Sequence, residues 1–592
     1  MNITIQKYLV LLFILLVNVL LITTFVIYEN NWYAFIYFLG FASFLYSVSV
    51  ILIFLSKMCN VNSIDYRINR KNYIYVVPCY NEGEEELRDS LTSVTYQQTC
   101  DGDKRALLII CDGIVTGKGN KYSTDVILKN ILGVDSVANY YTYDTWDGSK
   151  NIVRVYKGRY LNKIDYILCV KQENYGKRDS LVLARKWCYN YNFREPNSFD
   201  NSLAYDMYYN FKGIFYINLD YIIGIDADTV FDYNCSYELI GAIDRDKDVY
   251  GCVGYVDISD KMNKLSPFTM YQYGEYTFAQ CLRRYAQSHI TKKVNCLSGC
   301  NQILRVAEET CGERILAAFN RLPGEGESIF NHIRSYASED RNHVCLMLSM
   351  YPYVKTIQNI KAICYTRVPS SIRVFLSQRR RWNLGANSND MLITYLPGIN
   401  IFERISALVN LTTFSIAPFI LTATVYFIKV LVDGPSILML YLSIIMIIPA
   451  IYSILIPIII KPLTFRGTLY YYACLIMYFI LGLPVNLVTY SYALLHMDVI
   501  KWGKTRAIEN VICDNSSDST ISFVDDVERI SYSAKVKTPL KGVVFKLLDT
   551  MEPALDAKVK PPSGGANFWH STVTVIKTIN IDDNGYMRET DV

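Results

Sequence analysis

Two hydrophobic textures alternate along the chain. Residues 8–28 and 33–56 are nearly continuous apolar stretches, and about 20 such residues suffice to cross the hydrocarbon core of a bilayer as a helix. Neither a basic leader nor a small-residue cleavage site accompanies them, so they predict an uncleaved helical hairpin rather than a signal peptide. The turn between them, Glu29-Asn30-Asn31-Trp32, carries no Lys or Arg, whereas Lys57, Arg67, Arg70 and Lys71 follow the second stretch. By the positive-inside tendency, the region that follows faces the cytoplasm.

From about residue 72 to 363 the texture changes to short apolar runs separated by helical patterns. Residues 73–77, 106–111, 166–170 and 222–225 read as buried parallel strands, with helices over 84–96 and 180–191. That alternation predicts a doubly wound α/β domain whose ligand lies at the carboxyl ends of its strands. Segments 371–383 and 389–403 mix basic and aromatic residues with Leu and Ile, as helices lying along a membrane surface do. Three long apolar blocks follow, at 405–430, 437–460 and 468–495. Pro418, Pro449, Pro457 and Pro484 interrupt them, so at least one is expected to be kinked, split or re-entrant. The expected organisation is a transmembrane hairpin (1–57), a cytosolic domain (58–370), interface helices (371–403), C-terminal transmembrane helices (404–496), a short motif segment (497–508) and a polar, flexible tail (509–592).

Composition supports this division. A chain of 592 residues that is 51% hydrophobic is too long for one core and too apolar for an ordinary soluble protein. Its net charge of +4 is small for its length and does not suggest nucleic acid as a partner. The 16 cysteines are scattered, several inside the expected strands, which fits reduced thiols in the cytosol better than a disulfide framework.

The candidate chemistry lies where the expected strands end. Asp226-Ala227-Asp228 presents two carboxylates suited to a hard divalent ion that bridges nucleotide phosphates. Residues 78–82, with Tyr80 and Glu82, and Asp112-Gly113 occupy positions from which an α/β domain grips a base and ribose. Taken alone, each also reads as ordinary turn chemistry. Lys171, Lys177 and Arg178 lie near a strand end, where cations suit an anionic nucleotide or simply solvate a loop. Glu339-Asp340-Arg341 offers a carboxylate to deprotonate a sugar hydroxyl, a poor nucleophile, with Asp340 as the base and Glu339 and Arg341 holding its position and charge. A surface salt-bridge cluster would use the same three residues. In Gln378-Arg379-Arg380-Arg381-Trp382, one helical turn can direct Arg381 at phosphate and Trp382 at a pyranose face.

Taken together and in this order, these motifs resemble a processive family-2 glycosyltransferase, and most closely a chitin synthase. The resemblance runs from about residue 73 to 506 and includes Gln272-Tyr273-Gly274-Glu275-Tyr276, Cys296-Leu297-Ser298-Gly299-Cys300 and Trp502-Gly503-Lys504-Thr505-Arg506. It implies a GT-A-like, Rossmann-like cytosolic glycosyltransferase domain joined to an α-helical transmembrane region. It also implies transfer of N-acetylglucosamine from UDP-GlcNAc, with inversion, onto the 4-hydroxyl of a growing β-1,4 chitin chain that passes through the membrane. By the same resemblance Asp228 would hold Mg2+ or Mn2+. Tyr80, Glu82, Asp112, Lys171, Lys177, Asp226, Gln378 and Arg381 would serve the nucleotide. Trp382, Glu275 and the loop Cys296, Leu297, Ser298, Gly299 and Cys300 would line the acceptor and channel mouth. Trp502, Thr505 and Arg506 would lie near the diphosphate.

The resemblance further implies a multi-pass plasma-membrane protein in contact with lipid, and is compatible with a homo-oligomer. Two departures stand out: the channel-mouth loop reads Leu-Ser-Gly where the family has Leu-Pro-Gly, and residues 121–150 and 191–212 look like divergent insertions. Hyaluronan synthases share the architecture, but the pairing of Glu-Asp-Arg with Gln-Arg-Arg-Arg-Trp favours chitin. A non-enzymatic membrane scaffold is the reading from another class. Against it, every acidic and basic position the chemistry needs is present.

Overall fold

The computed structural model describes residues 2–28, 36–59, 70–117, 119–199, 201–258, 262–434, 437–499, 579–581 and 587–589. Ten strands of the region 72–366 form one mixed sheet: β1 (Asn72–Cys79), β2 (Lys104–Cys111), β3 (Asn139–Asp144), β4 (Lys150–Tyr160), β5 (Ile164–Lys171), β6 (Tyr221–Gly224), β7 (Thr229–Phe231), β8 (Val249–Asp257), β9 (Gln302–Arg305) and β10 (Lys355–Thr366). They lie in the order β3-β4-β5-β2-β1-β6-β9-β8-β10-β7. The four strands expected from the apolar runs are the parallel centre, β5-β2-β1-β6. Both faces of that centre are covered, which is why its strands read as continuous apolar runs rather than alternating ones.

The sheet is less purely parallel than the expected doubly wound domain. The stretch 121–150 is no loose insertion, because it supplies β3 and the helix Thr124–Leu132. With β4 and β5 it makes an antiparallel meander on the edge. On the other side β9 runs antiparallel between β6 and β8. The helix expected over 180–191 begins earlier, at Gly176. The Asn174 side chain accepts from the Gly176 N–H at 2.8 Å, and the positive φ of 83° at Gly176 turns the chain out of β5. Lys177 and Arg178 are therefore first-turn helical residues with fixed directions, not loop residues.

Among the described residues, three helices are long and apolar enough to cross a membrane: Ile3–Ile27, Ser443–Ile460 and Phe465–Leu495. The shorter apolar helix Gly40–Ser56 belongs to the second half of the expected hairpin; the turn at 29–32 lies outside the described residues. The block expected at 405–430 is broken into Ile401–Ser415 and Ala417–Asp433, bent by 81°. Such a break strands backbone groups in an apolar setting unless something pairs with them. Asn18, from the first helix, does so on both sides: its amide donates to the Ser415 carbonyl at 2.8 Å and its oxygen accepts from the Phe419 N–H at 3.0 Å. Segments 371–383 and 389–403 are also divided differently from expectation. One helix spans Ile372–Tyr395, and the next starts at Ile401, after Pro397 and Gly398. Within the tail, Ile579–Ile581 and Met587–Glu589 pair as an antiparallel hairpin.

The short helix Pro267–Phe278 ties the sheet region to the apolar helices. Gly274 on it packs so closely against Phe465–Leu495 that a Cβ there would stand 2.6 Å from the Tyr478 Cβ.

Candidate active site

At the carboxyl ends of β1 and β2, Tyr80 and Asp112 sit side by side. One Asp112 oxygen accepts from the Lys171 ammonium at 3.1 Å and from the Tyr175 N–H at 3.2 Å. The other oxygen is buried with no hydrogen-bond partner among the described residues. Burial raises the Asp112 carboxyl above its ordinary range, with Lys171 opposing. Gly113 has φ of 96°, and a Cβ there would meet the Asn174 backbone at 3.1 Å, so glycine is required where the loops close over this corner.

Lys171 lies under this surface rather than on it. Its side chain is 0% exposed, and its ammonium is shared among Asp112, Asp179 at 2.6 Å and the Ser180 hydroxyl at 2.8 Å. Asp179 in turn accepts from the Tyr143 hydroxyl and the Trp146 N–H, both at 2.8 Å. Residues of the supposed insertion therefore anchor a buried chain, Asp179–Lys171–Asp112, that ends at the corner beside Tyr80. Replacing Lys171 with Met should destabilise the protein on the scale of about 3–5 kcal/mol, because two carboxylates would be left buried without their cation. A thermal melt of the detergent-solubilised variant checks this, and an unchanged midpoint would refute it. Arg178 also points away from the cleft, donating to the Phe319 and Arg334 carbonyls and stacking on the Phe319 ring at 4.2 Å.

A second cluster gathers groups from five separate segments. The Lys177 ammonium contacts Asp226 at 2.6 Å and lies 4.0 Å from Glu339. Burial alone would lower it, but Asp226, Asp340 and Glu339 outweigh burial and hold it well above the ordinary lysine range. One Asp340 oxygen accepts from the Gly299 N–H at 2.8 Å, and the other is buried without a hydrogen-bond partner among the described residues. Desolvation pushes the Asp340 carboxyl up to about 6; Lys177 and the Gly299 N–H oppose the shift, while Glu339 and Asp226 add to it. Arg381 is lowered by burial, and the nearby Glu339 and Asp226 carboxylates counter that.

Beside this cluster the Trp382 ring, 42% exposed, meets the Tyr276 ring edge-to-face at 5.6 Å. The Arg379 guanidinium lies 4.2 Å from the Trp382 ring and forms a two-pronged ion pair with Glu275, at 3.0 and 3.1 Å from its Nε. Gln378 accepts from Arg379 and so orients it. The sequence reading overlooked Arg379, the member of the basic run that fixes the tryptophan; only its charge complementarity to Glu275 could have pointed to it.

The residues singled out in sequence thus separate into distinct positions. Asp226, Lys177, Glu339, Asp340, Gly299 and Arg381 are brought together. Asp228, two residues past Asp226 and half-buried, influences Tyr276 electrostatically and so lies toward the Trp382 side. Glu82 folds back, its carboxylate accepting from the Tyr80 N–H at 2.7 Å. Arg341 turns away from the carboxylates toward Asp390, 3.6 Å distant, which Arg283 also holds at 3.1 Å. Within the Cys296–Cys300 loop, Leu297 is a fully buried anchor packed with Leu304 and Val344. Cys296 is half-buried, and Cys300 pairs with the Cys364 thiol, which raises Cys300 ahead of burial. Trp502, Thr505 and Arg506 lie outside the described residues. Among the described residues, no group of three or more His, Cys, Asp or Glu is arranged to hold a metal. Asp226 and Asp228 remain a pair of hard oxygen donors.

The family model described as chitin synthase matches residues 47–530. Chitin synthase 8 of Gibberella zeae is 35% identical over 446 residues, covering 74% of this chain and 66% of that protein. Chitin synthase 8 of Verticillium dahliae is 32% identical over 456 residues, covering 71% of this chain and 74% of that protein. Among solved structures, a mannosyltransferase of Pyrobaculum calidifontis in complex with GDP-Man and Mn2+ matches at 12% identity with a TM-score of 0.35, covering 74% of this chain and 99% of that one.

Proposed function

Because this chain belongs to the chitin synthase family of glycosyltransferases, we propose that it polymerises N-acetylglucosamine from UDP-GlcNAc into β-1,4-linked chitin with inversion, and passes the product through its own membrane helices. The observation that carries this reading is the Asp340 carboxylate, held through one oxygen by the Gly299 N–H, with no hydrogen-bond partner for its other oxygen among the described residues and with the Lys177 ammonium acting on it. A base needs a free lone pair, a fixed direction and a pKa near working pH, and these features support all three.

In this mechanism the unengaged oxygen of Asp112 accepts the imide N–H of uracil, and Tyr80 packs on the base. Trp382 stacks on the terminal sugar of the chain, kept in place by Arg379 and Glu275. Asp340 takes the proton of the 4-hydroxyl while that oxygen attacks C1 of the donor sugar. The C1–O bond to the diphosphate breaks, UDP departs with the bonding electrons, and the anomeric centre inverts. Lys177 and Arg381 meet the negative charge that develops on the leaving group. Asp226 and Asp228 suit Mg2+ or Mn2+, which when bound would neutralise part of the diphosphate charge. Under this reading the sheet domain is cytosolic, the substrate partners are the nucleotide sugar and the glycan chain, and the apolar helices sit in the plasma membrane.

Purified protein supplied with UDP-GlcNAc alone should make an insoluble polymer that chitinase degrades. A requirement for a second sugar nucleotide would instead point to a hyaluronan synthase. Absence of any UDP release would point to a scaffold that has lost the activity.

A further inference from the structure

The loop that presents the Gly299 N–H is firmly fixed on either side. Leu297 is fully buried in the core. Asn301 is tied into the sheet, its side chain donating to the Ala362 carbonyl at 3.0 Å and its carbonyl accepting from the Gly254 N–H at 3.0 Å. The Asn301 N–H closes a turn onto the Ser298 carbonyl at 3.0 Å. Between these anchors the turn touches Asp340 through the Gly299 N–H and Cys364 through Cys300, and its leading residue is held from outside by a hydrogen bond from the Arg284 guanidinium to the Ser298 hydroxyl at 3.0 Å. Arg284 ends a π-helical stretch, Ala279–Arg284, and makes no ion pair among the described residues. An extra residue per turn re-aims the side chains around it, and such stretches recur at functional sites.

We propose that Arg284 is a positioning residue: by holding the Ser298 hydroxyl, it fixes the 298–301 turn so that the Gly299 N–H is aimed at the Asp340 carboxylate. A proline at 298 would stiffen this loop through its ring, with φ locked near about −65°. Serine leaves it free, and Arg284 supplies the missing restraint from outside. The Ser298 N–H donates no hydrogen bond among the described residues, so a proline there loses none.

The inference rests on Asp340 as the base, and the experiment separates the two. Arg284→Gln should lower kcat roughly tenfold, part of the ~100-fold that an ångström of misplacement can cost, while KM for UDP-GlcNAc changes little. It should also move the acid limb of the kcat/KM profile to higher pH, because the Gly299 N–H is one of the influences that lower Asp340. The other groups acting on that carboxylate are Lys177 and Arg185 from the helix Gly176–Phe193, Asp226 after β6 and Glu339 beside it, and Arg284→Gln alters none of them directly. In a Ser298→Pro background, whatever its own rate, adding Arg284→Gln should cost far less than in the wild type. Should that background not fold, Ser298→Ala serves instead, and adding Arg284→Gln to it should cost nothing further. An equal loss in either background, a loss confined to KM, or an unmoved acid limb would overturn the inference. If Asp340→Asn keeps its turnover, the base assignment itself fails. If Asp340→Asn is dead and Arg284 acts independently of Ser298, only the positioning role fails.

Discussion

Asp340→Asn protein should make polymer about 10³-fold more slowly than wild type, within the range that a general base contributes, while still binding UDP. The geometry gives the reason. An asparagine at 340 would turn its carbonyl toward the Gly299 N–H, which the native carboxylate accepts at 2.8 Å. Its amide then occupies the position of the oxygen that has no partner among the described residues, presenting a donor where an acceptor is needed. The proposed nucleotide corner at Asp112 lies elsewhere, just past the end of β2. UDP affinity, measured by calorimetry, should therefore change little.

The pH dependence follows from the same carboxyl. Desolvation holds Asp340 at about 6, above an ordinary aspartate, and only the ionised form can take a proton. Wild-type kcat/KM should accordingly fall about tenfold per unit as pH drops below that value, and flatten above it. A limb near pH 4 instead would remove Asp340 from the role.

Gly299→Ala should reduce turnover roughly 100-fold, the scale of an ångström-sized displacement of a catalytic group, with little loss of fold. A Cβ at 299 would stand 2.8 and 3.0 Å from the two Asp340 oxygens and 3.0 Å from the Lys177 ammonium. The Asp340 carboxylate and the Lys177 ammonium beside it would both have to retreat. The substitution is informative because those neighbours are side-chain ends rather than backbone, so they can yield without unfolding the sheet. Turnover within about twofold of wild type, measured at saturating UDP-GlcNAc, would show that the contact has slack that the structure lacks.

Much of the parallel sheet was legible because strands buried on both faces leave uninterrupted apolar runs. β3 lies inside the stretch 121–150 that reads as an insertion, although it shows the alternation of a half-buried edge, with Tyr141 and Tyr143 inward and Thr142 and Asp144 outward. Of the site, the carboxylates and the basic, tryptophan-bearing helix could be named from their order along the chain. What each cation faces could not. Lys171 and Lys177 are six residues apart, yet one is the last residue of a strand and turns inward to Asp112 and Asp179, while the other opens a helix and turns to Asp226. Pairings such as Arg379 with Glu275, Arg284 with Ser298 and Tyr143 with Asp179 join residues whose spacing carries no periodic signal. They depend on how the elements dock, which no local pattern encodes.

The contact at Gly274 ties two functions mechanically. With only a hydrogen between the Pro267–Phe278 helix and the Tyr478 Cβ, the two helices have no slip plane. Glu275 and Tyr276, next along the same turn, grip Arg379 and Trp382. Under the proposed mechanism the sugar platform and the long apolar helix are thus geared together: a tilt of that helix, as a thicker or thinner lipid sheet would impose, becomes a shift of the indole face on which the nascent glycan would rest.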